Sequence, residues 1–227
     1  SVAPSKAGVG LTVGFLQNED VVTVSVGNNV TITVTGGDYY QQAQQNADVM
    51  VVTVAASIGT GTSSALTLGG ALNCVALNNR VNNTIGSDSV IKSQGDLDIG
   101  TAAALFQLLA CPSASAGGKT AVGGTIAVIV NEAEAKTDVG SAKLESETGS
   151  VRIHTDSDET LVNLIASASA AKAGGTAAAA GSIGVVVDLE KAYVLASDGA
   201  EITANQDVQI PSDISSLLVS GRIAASV

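Results

Sequence analysis

Hydrophobic and polar positions along the chain fall into a block that recurs, and each block predicts strands rather than helices. Runs such as VVTVSV (residues 21–26), VTITVT (30–35) and VMVVTVAASI (49–58) are β-branched and partly alternating, the pattern of strands packed on at least one face. Two blocks are closely alike: GGTIAVIVNEAEAKTDVGSAKLESETGSVRI (123–153) and AGSIGVVVDLEKAYVLASDGAEITANQDVQI (180–210). A third, GGALNCVALNNRVNNTIGSDSVIKSQGDLDI, spans 69–99, and a looser fourth, GVGLTVGFLQNEDVVTVSVGNNVTITV, spans 8–34. Ile99, Ile153 and Ile210 close the three clearest blocks and are almost evenly spaced. Self-similarity at a near-constant period is the mark of a stacked array, in which each unit buries its apolar face on its neighbours.

Within a block the order is constant. A Gly or Ala pair leads into a near-continuous apolar strand, TIAVIV (125–130) or SIGVVV (182–187). Asn78, Asn131 or Asp188 is then expected to open a turn. A shorter alternating strand follows, and a last strand places two apolar residues at a spacing of two, hence on one face. The predicted interior is therefore Leu97 and Ile99, Ile126 and Val128, Val151 and Ile153, Ile183 and Val185, and Val208 and Ile210. The small-residue tracts 105–124 and 161–181 are expected to be strands packed where space is tight, with short helices as the competing assignment. The tract GGDYYQQAQQNAD (36–48) looks like an insertion in the first block, a surface loop or short helix. Its Tyr39, Tyr40, Gln41 and Gln42 form the candidate partner-binding loop, because insertions in arrays often carry binding.

The fold class expected is all-β, a single parallel β-solenoid over residues 1–227, with approximate repeats at 8–68, 69–122, 123–179 and 180–227. Each repeat of about 55 residues is expected to hold two or three coils of about 20 residues. About ten or eleven coils at roughly 4.8 Å would then make a rod on the order of 50 Å long.

Composition sharpens this picture. The chain is 45% hydrophobic but only 2% aromatic, without Trp, so its core must be built from Val, Ile, Leu and Ala in many regular contacts. A formal net charge of −11 opposes nucleic-acid and anionic-membrane binding. No apolar run reaches the length of a membrane-spanning helix, and SVAPSKAG at the start lacks the pattern of a signal peptide. Neither terminus resembles a capping unit, which implies excision from a longer array or end-to-end assembly. Cys74 and Cys111 are expected to be small buried hydrophobes, and two cysteines alone do not define a disulfide.

Candidate chemistry is sparse. GGKT (117–120) lacks the earlier glycine of a phosphate-binding loop, since position 113 is Ser113. His154, the one histidine, is followed by Asp156, Asp158 and Glu159, a cluster expected to be a solvated turn, and no second histidine completes a metal triad. Carboxylates Asp96, Asp98, Asp138, Glu145, Glu147, Asp156, Asp158, Asp198 and Asp207 fall in predicted turns. No cofactor is called for; calcium would use such oxygens, but neither an EF-hand loop nor the nonapeptide calcium repeat occurs. Asn29 and Asn82 head sequons for N-glycosylation.

The cadence of SVIKSQGDLDIGTAA (89–104) and AEITANQDVQI (200–210) resembles large secreted bacterial adhesins of the filamentous-haemagglutinin and autotransporter-passenger class, leukotoxin-like filamentous adhesins included. The resemblance covers most of 69–227, and 1–35 less well. It implies a right-handed parallel β-helix exposed on a bacterial cell surface, and it carries over no functional residues. The expected protein is thus a non-enzymatic structural and adhesive segment. Its partners would be flanking repeats or identical subunits, and a glycan or protein of a host or neighbouring cell. Two alternatives are a polysaccharide-binding or polysaccharide-cleaving β-helix module and an antiparallel β-sandwich shell or pilus subunit.

Overall fold

In the computed structural model, which describes residues 2–3, 7–59 and 66–227, no helix occurs among the described residues. After β1 (Val2–Ala3) the chain runs through β2 (Ala7–Val26), β3 (Thr31–Val34), β4 (Tyr39–Val52) and β5 (Ala55–Gly59). It then repeats the same path through β6 (Leu66–Ile85), β7 (Val90–Ser93) and β8 (Leu97–Gly117). A third passage comprises β9 (Thr120–Val139), β10 (Lys143–Ser146) and β11 (Val151–Ala170). The last comprises β12 (Ala177–Ala196), β13 (Glu201–Ala204), β14 (Val208–Gln209) and β15 (Ser212–Ser226).

Three sheets result. Strands β2, β6, β9 and β12 form one long sheet, and β3, β7, β10 and β13 form a narrow one. The second long sheet joins β4 and β5 to β8, then to β11, then to β14 and β15, with β1 on β5. Every pairing among the described residues is parallel. The antiparallel sandwich expected as an alternative is therefore overturned. The path is that of a parallel β-solenoid.

Register shows what the repeat is. Ala7 pairs with Leu66, Leu66 with Thr120 and Thr120 with Ala177, so each step between layers consumes one whole repeat. A repeat therefore makes one circuit of the three sheets, not two or three coils. The reason is strand length. Strands of 20 residues far exceed the usual five or six, because Asn131 and Asp188, expected at turns, are paired mid-strand. Long strands of about 65 Å and a four-strand stack of about 15 Å make a slab instead of a rod.

The interior has two apolar clusters with a polar belt between them. At the corner of the three sheets lie Ile85, Ile91, Leu97, Ile99, Val139, Leu144, Val151 and Ile153. Between the long sheets lie Val75, Leu77, Leu105, Leu109, Cys111, Ile129, Leu161 and Ile165. The belt crosses from one long sheet to the other. Thr137 lies 2.8 Å from the Thr101 hydroxyl, accepts from Thr155 at 2.9 Å and donates to the His154 carbonyl at 2.7 Å. One layer away, the Asn83 amide donates to the carbonyls of Gln41 and Gly100. Buried polar groups are tolerable when paired in this way.

Where the two long sheets close on each other, the leading glycine of the first three repeats acquires a physical reason. Gly10, Gly69 and Gly123 are register partners. A Cβ on Gly10 or Gly69 would lie 2.6 Å from the carbonyl oxygen of Ala56 or Ala114, closer than any side chain permits. The tight tracts are strands over most of their length, lined by Ser113, Ser115, Ser167 and Ser169, with breaks only at 118–119 and 171–176.

Several sequence expectations need correction. Leu97, Ile99, Val151 and Ile153 are fully buried. Ile126 and Val128 instead face outward, Ile126 with 42% exposure, while Ala127 and Ile129 point in. Ile183 and Val185 likewise face out, at 56% and 42%. The run TIAVIV is apolar on both faces, so alternation gives no phase. Val208 stacks on Val151 but is half-exposed, as is Ile210, because both lie in the last layer. The supposed insertion is no insertion: Tyr39 to Val52 pair residue for residue with Leu97 to Ala110. Cys111 is buried as expected, whereas Cys74 is only partly so and outward-facing, and both are free thiols.

Candidate functional site

Register brings together residues that are remote in sequence. Outward positions of the second long sheet align Tyr40 with Asp98 and Asp98 with Arg152. In the next outward row, Gln42 aligns with Gly100 and Gly100 with His154. Together with Gln41 these side chains line a shallow pocket of about 180 Å³. The residues expected to form a binding loop are thus split by strand geometry. Tyr40 and Gln42 face the pocket's outer surface, and Tyr40 is 68% exposed. Tyr39 turns inward against the corner cluster, its hydroxyl donating to Gln41 at 2.7 Å. Gln41 is buried and donates to Asn83.

His154 is the centre of this pocket. Its imidazole lies flat over Gly100, where a Cβ would collide with the ring, so the absence of a side chain at 100 is what seats the ring. Nδ1 approaches Asp98 Oδ1 at 3.1 Å and Nε2 approaches Asp156 Oδ2 at 3.7 Å. The 3.1 Å contact lacks the alignment of a hydrogen bond, so Nδ1 and Oδ1 lie buried against each other without a hydrogen-bond partner. Tyr40 donates to Asp38 at 3.2 Å, and that bond and charge push its phenol above the usual range. Asp38 in turn accepts from the Asp96 backbone N–H, and Asp96 from that of Ser150, so a ladder of aspartates fixes the strand entrances.

The segment HTDSDE is not a turn. It lies in β11, with Asp156 and Asp158 outward and Glu159 buried. Asp98, Asp138 and Glu145 are also in strands rather than turns, while Asp96, Glu147, Asp198 and Asp207 do lie between strands. Chemically, the pocket offers an exposed aromatic ring, a carboxylate, a guanidinium, an amide and an imidazole within one patch. Such a set suits a polar, hydroxyl-bearing or mixed-charge ligand. Asp98, Arg152 and His154 were missed as partners of Tyr40 in the sequence. The signal was present, since the spacing that relates one repeat to the next also relates these residues.

Fold and pocket define the class: an all-β protein of stacked parallel strands carrying a polar pocket on one outer face. No protein-family model, curated protein or solved structure matches the chain.

Proposed function

We propose that the chain is a non-enzymatic structural and adhesive segment of a bacterial cell-surface or extracellular protein, built as a right-handed solenoid of about four repeats. It joins flanking repeats or identical subunits end to end. The observation that carries this is the match between the two ends of the stack. Strands β2 and β3 close it on one side and β12 and β13 on the other. Each pair comprises one strand of 20 residues and one of 4. An edge of unpaired N–H and C=O groups is a template for a further strand, and the opposite end of an identical unit has the lengths to fill it. Light scattering across a range of concentration tests this. The isolated chain is expected to grow in mass as concentration rises. A monodisperse single-chain mass throughout would overturn the end-to-end reading.

A second reading, favoured by the pocket at Tyr40, is a polysaccharide-binding module. Exposed tyrosine beside Asp98, Arg152 and His154 would stack on a sugar ring and bond its hydroxyls. Glycan-array binding that disappears in both Tyr40→Ala and Arg152→Ala would support it, and binding indifferent to both would remove it. Turnover of the bound glycan would convert the reading to a cleaving enzyme.

A further inference from the structure

The outer surface of the first long sheet, formed by β2, β6, β9 and β12, divides into two unlike halves. Along residues 7–17, 66–76, 120–130 and 177–187 the four strands carry no charged residue. Further along the same strands Glu19, Arg80, Glu132 and Lys191 stand on that surface. In the uncharged half the outward side chains are large and apolar, with Leu11, Phe15 and Ile183 at 73%, 68% and 56% exposure. Parallel sheets are ordinarily covered on both faces, and this half is covered only from inside.

A trough crosses it. Gly124 and Gly181 are register partners at outward positions, and a Cβ on either would meet nothing within 4 Å. Packing within the chain therefore gives no reason for glycine there, unlike the neighbouring Gly69 and Gly123, whose absent side chains make room for the opposite sheet. Glycine inside a strand marks a place where another body approaches closely. Where the trough runs over Gly70 and Gly124 it measures about 460 Å³. Leu72, Ile126 and Ile183, the next outward row in register, stand along one side of it.

We propose that this half-face docks a second copy of the chain, packed face to face with its strands antiparallel, about a two-fold axis that runs along the stack. The row Leu72, Ile126 and Ile183 of each copy then fills the trough over Gly70, Gly124 and Gly181 of the other, the reciprocal contact that a two-fold interface requires. Two observations select a second copy. The first is size: the uncharged outward rows on four strands cover about 750 Å², close to the ~800 Å² per partner of a standard interface. The second is charge. This register lays uncharged half on uncharged half and sends the two charged halves in opposite directions. It also brings the exposed tip turn that carries Lys119 abreast of the partner's exposed Glu132. The axis leaves the strand edges at both ends of the stack open, so the pairing does not rest on the end-to-end reading.

Cysteine cross-linking tests it, because the register sets Leu68 opposite the partner's Cys74, and Cys74 is an outward free thiol. Leu68→Cys treated with a two-carbon bismaleimide is expected to give a covalent dimer. The unsubstituted chain, and Asn82→Cys on the charged half of the same strand, should give at least tenfold less. Copies stacked end to end keep their β6 strands about 19 Å apart, and residues 68 and 74 of one chain lie about 20 Å apart, too far for that linker. A dimer from Leu68→Cys therefore reports the face and not the ends. Adding Gly124→Glu to Leu68→Cys should cut the yield at least tenfold while the circular dichroism spectrum stays unchanged. If that variant fails to fold, Ile183→Glu in the exposed last strand decides in its place. No covalent dimer from Leu68→Cys, an equal yield from Asn82→Cys, or a yield indifferent to the added glutamate would each overturn the pairing. So would a Cys74 thiol that reacts freely in the protein alone and is protected only by phosphatidylcholine vesicles, which would assign the face to a membrane.

Discussion

At the scale of single residues, the stack depends on what is placed in the narrow interior. Ile153 is fully buried in the corner cluster and pairs in register with Ile99. Ile153→Asp puts an unpaired charge there, and the expected outcome is loss of the folded state, a penalty above about 4 kcal/mol. Lys143→Asp on the exposed face breaks only a 3.4 Å surface pair with Glu201 and should shift the melt little. Thermal melts followed by circular dichroism compare the two. Thr137→Val keeps the volume but strips the belt of its central hydroxyl, and should cost about 1–3 kcal/mol by leaving Thr101 and Thr155 short of a partner. Burial and the neighbouring charge of Asp188 raise the Glu159 carboxyl from 4.5 to about 8. Between those values the folded chain holds a proton that the unfolded chain has released. Stability should therefore fall as pH rises through that window, by up to about 1.4 kcal/mol per unit, and level off above it. Glu190, raised in the same direction chiefly by burial, adds to the slope. Glu159→Gln should flatten most of it.

At the scale of elements, the closing corner is where the sheets allow least change. Gly69→Val would drive side-chain atoms into the Ala114 carbonyl and should force the long sheets apart, lowering Tm by several degrees or more. Gly124, the second member of its pair, behaves differently: an added Cβ there meets nothing within 4 Å, so Gly124→Ala is expected to be tolerated. A denaturant series on both variants checks the contrast. The sequence showed a Gly or Ala pair leading into the repeats but not which member mattered, because that depends on which side of the strand faces the opposite sheet. The same ambiguity misplaced Ile126, Val128, Ile183 and Val185. Long parallel strands with apolar runs usually mean cover on both faces, and here the outer face carries Leu72, Ile126 and Ile183 uncovered.

At the scale of the whole molecule, a slab with matched ends and a net charge of −11 couples assembly to ionic strength. Copies of like charge repel at low salt, and screening relieves this within about 10 Å at 0.1 M. Self-association measured by light scattering should therefore strengthen as salt is raised, and weakening with salt would argue that charge pairs hold the ends together.

Sequence alone determined that the chain repeats, that its repeats are strands, and that the last strand of each places Leu97 with Ile99 and Val151 with Ile153 on one face. Those follow from local chemistry: β-branched composition, a spacing of two, and recurrence at a near-constant period. The tertiary structure decided that a repeat is one circuit, since only sheet closure tells a mid-strand Asn131 from a turn. It decided the inward face of runs such as TIAVIV, where both faces are equally apolar and alternation has no contrast to display. It also decided which polar residues meet. Tyr40 reaches Asp98 and Arg152, and Glu159 reaches Asp188, through stacking along one sheet or packing across two, distances in space that no spacing within a single repeat encodes.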